Sequence, residues 1–304
     1  MICYHASHEQ FSPSYLLKLV QLAEKAGFDG IHSSEHFYPW SVRQGHSGFT
    51  FSWIGAAMQA TSLPFSMVCA PGGRYHPAVV AQAISTLSEM FPGRFHVELG
   101  SGEALNEAIT GEEWPDKESR NERLLACADV IRSLLSGEEV TRDGIIKVKE
   151  AKLYTLPPVP PLLYCAALTE KTAAWAGSWA DGLLTTKKEV VKAFRENGGE
   201  GKPVSLQLSF SYARSLEDAV TGAWDQWRNN ISSPEQLADI SKPEHFDELA
   251  KDVTPEDVMN AIPVFTSMNE LRAYIDELKE FNPTSIILHN VNKLHEDFIE
   301  DYIS

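Results

Sequence analysis

The segment SSEHFYPW, residues 33–40, places an acid, an imidazole and an indole within six positions, at Glu35, His36 and Trp40. It follows the apolar run GFDGIH, which reads as a strand. Strands that leave a core ordinarily end in small turn-forming residues. One that ends in titratable and aromatic groups brings chemistry to a rim. An imidazole titrates near neutral pH and suits proton exchange with a hydroxyl. A carboxylate beside it can orient the ring, and an indole can wall a pocket and stabilise a cation. A second group of this kind is GSGEALNE, residues 100–107, where two glycines allow close backbone approach to a ligand and set Glu103 and Asn106 at a mouth. A third is PGGRYHP, residues 71–77, with Arg74 ahead of a proline that opens a helix. Taken singly, a His is usually a hydrogen-bonded structural residue, a Trp is usually packing and a Glu is usually solvated. Acid, imidazole and indole reaching one rim from independent segments point to a site.

The elements that would position these groups alternate along the chain. Strand-like runs are ICYHA (2–6), DGIHSSEH (29–36), FSMVCAP (65–71), RFHVELGSG (94–102), PLLYCAA (161–167), DGLLTT (181–186), VSLQLSFSY (204–212) and TSIILHN (284–290). Segments of helical period follow each of them. The first, SPSYLLKLVQLAEKAG, offers Ser12 as N-cap, Pro13 in the first turn and Gly27 as the stop. The rhythm breaks twice. Residues 138–160 carry an Asp-Gly turn between alternating stretches and predict a β-hairpin excursion. Residues 214–266 predict a helical insertion containing Trp224 and Trp227, placed to line the mouth and set substrate choice. Eight strands each followed by helix predict a single α/β domain over 1–304, a closed (β/α)8 TIM barrel. A doubly wound open sheet would need a glycine-rich first turn, and HASHEQF contains no glycine.

In such a barrel the site forms where the strands end. After the first strand come His8 and Glu9; after the third, Cys69 and Ala70; after the fifth, Thr169, Lys171 and Thr172; after the sixth, Thr185 and Thr186; after the eighth, His289 and Asn290. Of the 304 residues, 26 are Lys or Arg and 42 are Asp or Glu, a net charge of −16. That field repels nucleic acid and anionic membrane, which leaves a small molecule as the expected partner. Cys3, Cys69, Cys127 and Cys165 form no CxxC pair and no zinc spacing, as expected for free thiols in a reducing cytosol. The N-terminus lacks the basic and apolar regions of a signal peptide, and no apolar run approaches about 20 residues. A cytoplasmic protein is expected.

The segments ASHEQFSP, SEHFYPW, RYHPAVVAQAISTLSEMFPGRF and GSGEALNE, with a weaker AGSWADGLLTT, resemble the luciferase-like flavin- and deazaflavin-dependent oxidoreductases. They are most similar to the branch of glucose-6-phosphate dehydrogenases that use coenzyme F420. The resemblance runs through the first 186 residues in the family's order and spacing; the last 120 match as barrel elements. It implies that Glu9, His36, Trp40 and Glu103 hold the active-site positions, and that Glu35 stands where the branch usually has Asp. It implies that Asn106 contacts the cofactor. It also implies a non-prolyl cis peptide at Met67–Val68, forming with Cys69 and Ala70 a bulge behind the cofactor ring. The phosphate loop after the fifth strand, usually glycine-rich, here offers Thr169, Lys171 and Thr172. Thr186 matches a substrate-phosphate position, but the basic residues that hold the sugar phosphate near the chain end have no counterpart in LHNVNKLHEDFIEDYIS. Glucose 6-phosphate is therefore not the expected substrate. A homodimer is implied.

The mechanism expected from this resemblance is hydride transfer between cofactor and a small organic substrate. His36 takes the hydroxyl proton, Glu35 or Glu9 orients it, Trp40 packs near the reacting carbon and Glu103 exchanges a proton with the reduced cofactor. An FMN-dependent reductase or monooxygenase on the same fold is the alternative. A metal-dependent barrel hydrolase built on His5, His8, His36 and His289 is a second, although the first strand lacks the HxH pair such sites favour. A catalytically idle barrel or binding protein is the remaining reading.

Overall fold

A computed structural model describes residues 1–303. Eight parallel strands follow the expected alternation: β1 (Ile2–Ala6), β2 (Gly30–Ser33), β3 (Phe65–Cys69), β4 (Phe95–Leu99), β5 (Leu163–Ala166), β6 (Gly182–Thr185), β7 (Val204–Tyr212) and β8 (Ser285–Asn290). Each pairs with its sequence neighbour, and β8 pairs with both β1 and β7, so the sheet closes. A two-residue strand, Val264–Phe265, adds to β7 beyond the ring.

Period-2 alternation splits each strand between two cores. Met67, Cys69, Val97 and Leu99 face the helices and join the large helix–sheet core with Leu16, Leu19, Ile54 and Ile131. Cys3, Leu184 and Ile287, with Val68 and Ala166 against them, form a smaller cluster. Around these, the barrel interior carries a set of polar residues. The first helix, Pro13–Lys25, buries Leu16, Leu19, Val20 and Ala23 at helical spacing, and the chain leaves it through Gly27 at φ +87°. Ser12 occupies the N-cap without making a side-chain cap bond.

Both excursions are present. Val140–Asp143 and Lys147–Ala151 pair antiparallel as the hairpin. The insertion folds as helices Leu216–Trp227, Pro234–Ala238, Pro243–Leu249 and Pro255–Ala261. Three of these open on proline, and their own core of Ala223, Val258, Ile262 and Val291 packs beside the barrel mouth. All four cysteines are buried free thiols. Among the described residues no helix is long and apolar enough to cross a membrane.

Candidate active site

β2 ends at Ser33, so Glu35, His36 and Trp40 sit on the loop above it rather than in the ladder. β4 ends at Leu99, and Glu103 is the N-cap of a one-turn helix, Ala104–Glu107, which turns Asn106 back toward β2. These loops meet over a cavity of about 1800 Å³ at the C-terminal ends of the strands. That is larger than most single-ligand pockets and has room for a flavin-sized group and a substrate together.

His36 is held on both sides. Its Nε2 lies 3.2 Å from Glu9 Oε1, and its Nδ1 lies 3.1 Å from Asn106 Nδ2. Asn106 Oδ1 accepts the Phe37 backbone N–H at 2.8 Å, which fixes which end of the amide faces the ring. Nδ2 therefore donates, Nδ1 accepts, and the ring proton sits on Nε2 facing Glu9. The second Glu9 oxygen accepts from Ser7 Oγ at 2.8 Å and Ser34 Oγ at 2.7 Å. Burial alone would push the Glu9 carboxyl up; His36 and these hydroxyls outweigh it and hold the group below the usual carboxylate range. Trp40 packs on His36 with ring centroids 5.0 Å apart, and Phe246 of the insertion backs Trp40 edge-on at 5.3 Å. Glu103 lines the same cavity, and burial holds its carboxyl above the usual range, with Glu9 and Glu107 acting in the same sense.

Glu35 does something else. Both its oxygens take the Arg74 guanidinium, and Oε1 also accepts from Tyr75 at 2.8 Å. Arg74 in turn gives its backbone N–H and Nε to Glu107, at 2.7 and 3.2 Å. Of the two acids expected to orient His36, Glu9 is the one in contact with it, and both Glu35 oxygens are taken by Arg74. Gly73 permits the arrangement, since an added Cβ would overlap the Glu107 carboxylate.

Other expectations are corrected. The Met67–Val68 peptide is trans, as are all peptide bonds among the described residues. The β3–β4 register runs unbroken from Phe65↔Phe95 to Cys69↔Leu99, leaving no bulge at this point. Val68 and Ala70 line the cavity, whereas Met67 and Cys69 point outward into the helix–sheet core because strand side chains alternate. His8 packs edge-on against Trp53 at 4.7 Å and lies outside the cavity lining, so the four histidines of the hydrolase alternative do not share one pocket.

The cavity's cations are confined to one half. They are Arg74, Lys117, Arg120, Lys171 and Lys187, all from the β3–β6 half, which also lines the cavity with Glu103, Asp116, Glu118 and Glu122. Arg74 is neutralised in its acid pair; Lys117 donates to Ser101 Oγ at 2.6 Å. Thr169 caps the helix Glu170–Gly177 by accepting the Thr172 N–H, so its hydroxyl is occupied, while Lys171 is exposed at the same rim. Thr186 is exposed on the β6 side. The half built by β1, β2, β7, β8 and the insertion contributes Trp40, Gln44, Gln207, Ser209, Trp227, Ile231, Ile262 and His289, and no lysine or arginine. Trp227, from the insertion expected at the mouth, lines the cavity; Gln44, Gln207, Lys117 and Arg120 carry no sign of the site in the sequence, and only closure of the barrel brings them in.

A family model described as luciferase-like monooxygenase matches residues 3–284. The chain belongs to the luciferase-like monooxygenase family. It is 32% identical over 320 aligned positions to an F420-dependent glucose-6-phosphate dehydrogenase of Beutenbergia cavernae, covering 98% of this chain and 94% of that protein. It is 34% identical over 275 positions to the protein so named in Kribbella flavida, covering 84% and 82%. Among solved structures it superposes on an F420-dependent secondary alcohol dehydrogenase holding an F420-acetone adduct, with a TM-score of 0.92 and 28% identity over all of this chain and 97% of the other. It shares its fold with the F420-dependent tetrahydromethanopterin reductase of Methanopyrus kandleri, at a TM-score of 0.77 and 18% identity.

Proposed function

We propose that this protein is an F420-dependent oxidoreductase that interconverts a small neutral secondary alcohol and its ketone. The observation that carries the reading is the confinement of the cavity's cations to one side. Arg120 is buried against Trp114 with Asp239 beside it, and Lys117, Lys171 and Lys187 stand on the β4–β6 side, among Asp116, Glu118 and Glu122, where an anionic cofactor tail would find them. The side holding Glu9, His36 and Trp40 has polar amides, hydroxyls and aromatic walls and no cation to recognise a phosphate. The likenesses to F420-dependent dehydrogenases and to the alcohol enzyme bearing an acetone adduct support it.

The residues fit such a cofactor. Val68, Ala70, Gly100 and Ala166 put small side chains on the cavity wall, where a flat ring would lie, and Lys117, Lys171 and Lys187 line the same cavity. When bound, the deazaflavin supplies the hydride acceptor or donor. This chain's part is to hold the substrate and move its hydroxyl proton. A hydroxyl bound beside this pair gives its proton to the Glu9 carboxylate as its oxygen comes to accept the His36 Nε2–H. The reverse holds for ketone reduction. Asn106 keeps His36 in the Nε2–H tautomer, so His36 and Glu9 act as one acid–base pair rather than His36 alone. Trp40 shields the reacting carbon. Glu103, which lines the same cavity and which burial holds protonated to higher pH, would exchange a proton with the cofactor ring in this reading. Titration of the apo-protein with F420 and with FMN, each read by cofactor fluorescence, tests the assignment. F420 is expected to bind at least tenfold more tightly; tighter binding of FMN would transfer the protein to the FMN-dependent reading.

A further inference from the structure

Below the Glu9–His36 pair the barrel interior holds a second set of titratable groups that substrate binding does not use. His5 and His32, on adjacent strands, are each under 4% exposed, line the cavity, and share a hydrogen bond between their Nδ1 atoms at 2.8 Å. His289 lies against His5 on its other side, with ring centroids 4.1 Å apart. The Nε2 of His32 faces Glu98 Oε2 at 3.9 Å, and the other Glu98 oxygen lies 3.1 Å from His96 Nε2. Glu98 is fully buried, and His96 is the second residue of β4, at the floor of the barrel. The His96 Nε2 atom is buried, while its side chain is 31% exposed, and His96 is not part of the cavity lining.

We infer that His5, His32, Glu98 and His96 form a proton relay from the active-site cavity through the barrel to its floor. The inference rests on the oxidoreductase reading of the site above. His32 and Glu98 are each entered at one atom and left at another: His5 and His32 face each other through Nδ1, His32 presents Nε2 to Glu98, and the two carboxylate oxygens divide between His32 and His96. A hop therefore needs no side chain to turn around. The His32–Glu98 gap closes with a shift of about 1 Å, and the His96–Glu98 approach is short but off the hydrogen-bond line, so both are links that form in transit. The buried polar atoms His32 Nε2, His96 Nε2 and both Glu98 oxygens lack an aligned partner, and beyond the two imidazoles the Ser66 hydroxyl is the group that helps hold the carboxylate ionised. Charged and titratable neighbours are Tyr164 and Cys3 beside Glu98, and His8, His289 and His295 around His5. Burial holds His5 and His32 below the usual imidazole range, so they are neutral at rest, and Glu98 stays ionised because His96 and His32 offset its burial.

The chemistry needs such a path. Oxidation breaks the carbinol C–H bond, whose hydride passes to the cofactor, and the O–H bond, whose proton passes to the Glu9–His36 pair. A cofactor and substrate that fill the mouth close the direct route to water, and the relay returns the pair to its starting state by delivering that proton at His96. Reduction runs the same path inward.

Two variants and one measurement without turnover test this. In Glu98→Gln and in His96→Gly, turnover should fall roughly tenfold or more with KM unchanged, less than loss of the primary acid–base pair. Free imidazole should restore His96→Gly, because that variant opens the floor, and should not restore Glu98→Gln. In the apo-protein, histidine nitrogen NMR across pH should show His5, His32 and His96 resonances that shift together in the wild type, and His5 and His32 resonances that no longer follow His96 in Glu98→Gln. Turnover unchanged in both variants, a loss in His96→Gly that imidazole leaves in place, or His96 resonances that shift independently of His5 and His32 in the wild type would each overturn the relay. An enzyme with no alcohol activity but with coupled histidine resonances would instead overturn the functional reading and leave the pathway standing.

Discussion

His36 is held by two neighbours that together decide where its proton sits. Asn106 occupies Nδ1 and Glu9 faces Nε2 at 3.2 Å, so the proposed exchange with a substrate hydroxyl would use the Nε2 edge of the ring and the carboxylate beside it. His36→Ala should lower turnover by roughly 10²- to 10⁴-fold, with F420 affinity within twofold of wild type, as steady-state kinetics and titration would show. Two carboxylates at the site predict opposite effects on stability. Glu9 titrates lower in the folded protein than in the unfolded chain, so its contribution is present above about pH 4.5 and is lost as pH falls through the folded value. Glu9→Gln should therefore cost about 1–3 kcal/mol at pH 7, on the scale of hydrogen bonds to a charged group, and little at low pH. Glu103 titrates higher when folded, so its contribution is full below the unfolded value and is lost as pH rises through the folded one. Glu103→Gln should raise Tm at pH 7 and leave it unchanged near pH 4. Thermal melts across pH decide both; shifts of the same sign for the two variants would contradict the burial and pairing described for them. The Glu9 contact was legible only as a likeness, because nothing local in ASHEQF says that two serines, from β1 and β2, would converge on it.

At the scale of elements, the loops after β2, β3 and β4 are tied together by Glu35, Arg74 and Glu107. Each of these side chains is less than a tenth exposed. Removing the cation would leave two buried carboxylates facing each other, so Arg74→Ala should destabilise by about 3–5 kcal/mol in urea unfolding. Arg74→Lys should recover only part of that, since an ammonium cannot serve both acids in the guanidinium's fork geometry. The strands and helices themselves were readable from period and punctuation: β1 and β7 fall on the expected residues, and Pro13 and Gly27 bound the first helix. The role of Glu35 was not, because its neighbour in sequence, His36, is not its partner in space. Its partner lies 39 positions on, and PGGRYHP carries no local sign of which acids it will meet. The trans peptide at Met67–Val68 has the same origin: a strand segment whose pairing, not its sequence, fixes its path.

Over the whole molecule, a chain of net charge −16 concentrates its cavity-lining cations in one half of the mouth and leaves the other without any. That asymmetry depends on closure of the barrel and was invisible in the linear order, where lysines at 117, 171 and 187 sit in unrelated helices and loops. In the proposed function the half without cations receives a neutral alcohol while the half with the lysines holds F420. Anaerobic mixing of the protein and oxidised F420 with a small secondary alcohol, with the same alcohol deuterated at the carbinol carbon, and with glucose 6-phosphate, following loss of the cofactor's visible absorbance, tests this directly. Rapid reduction by the alcohol, slower reduction by its deuterated form, and none by glucose 6-phosphate are expected. Reduction by glucose 6-phosphate with no response to any neutral alcohol would contradict it.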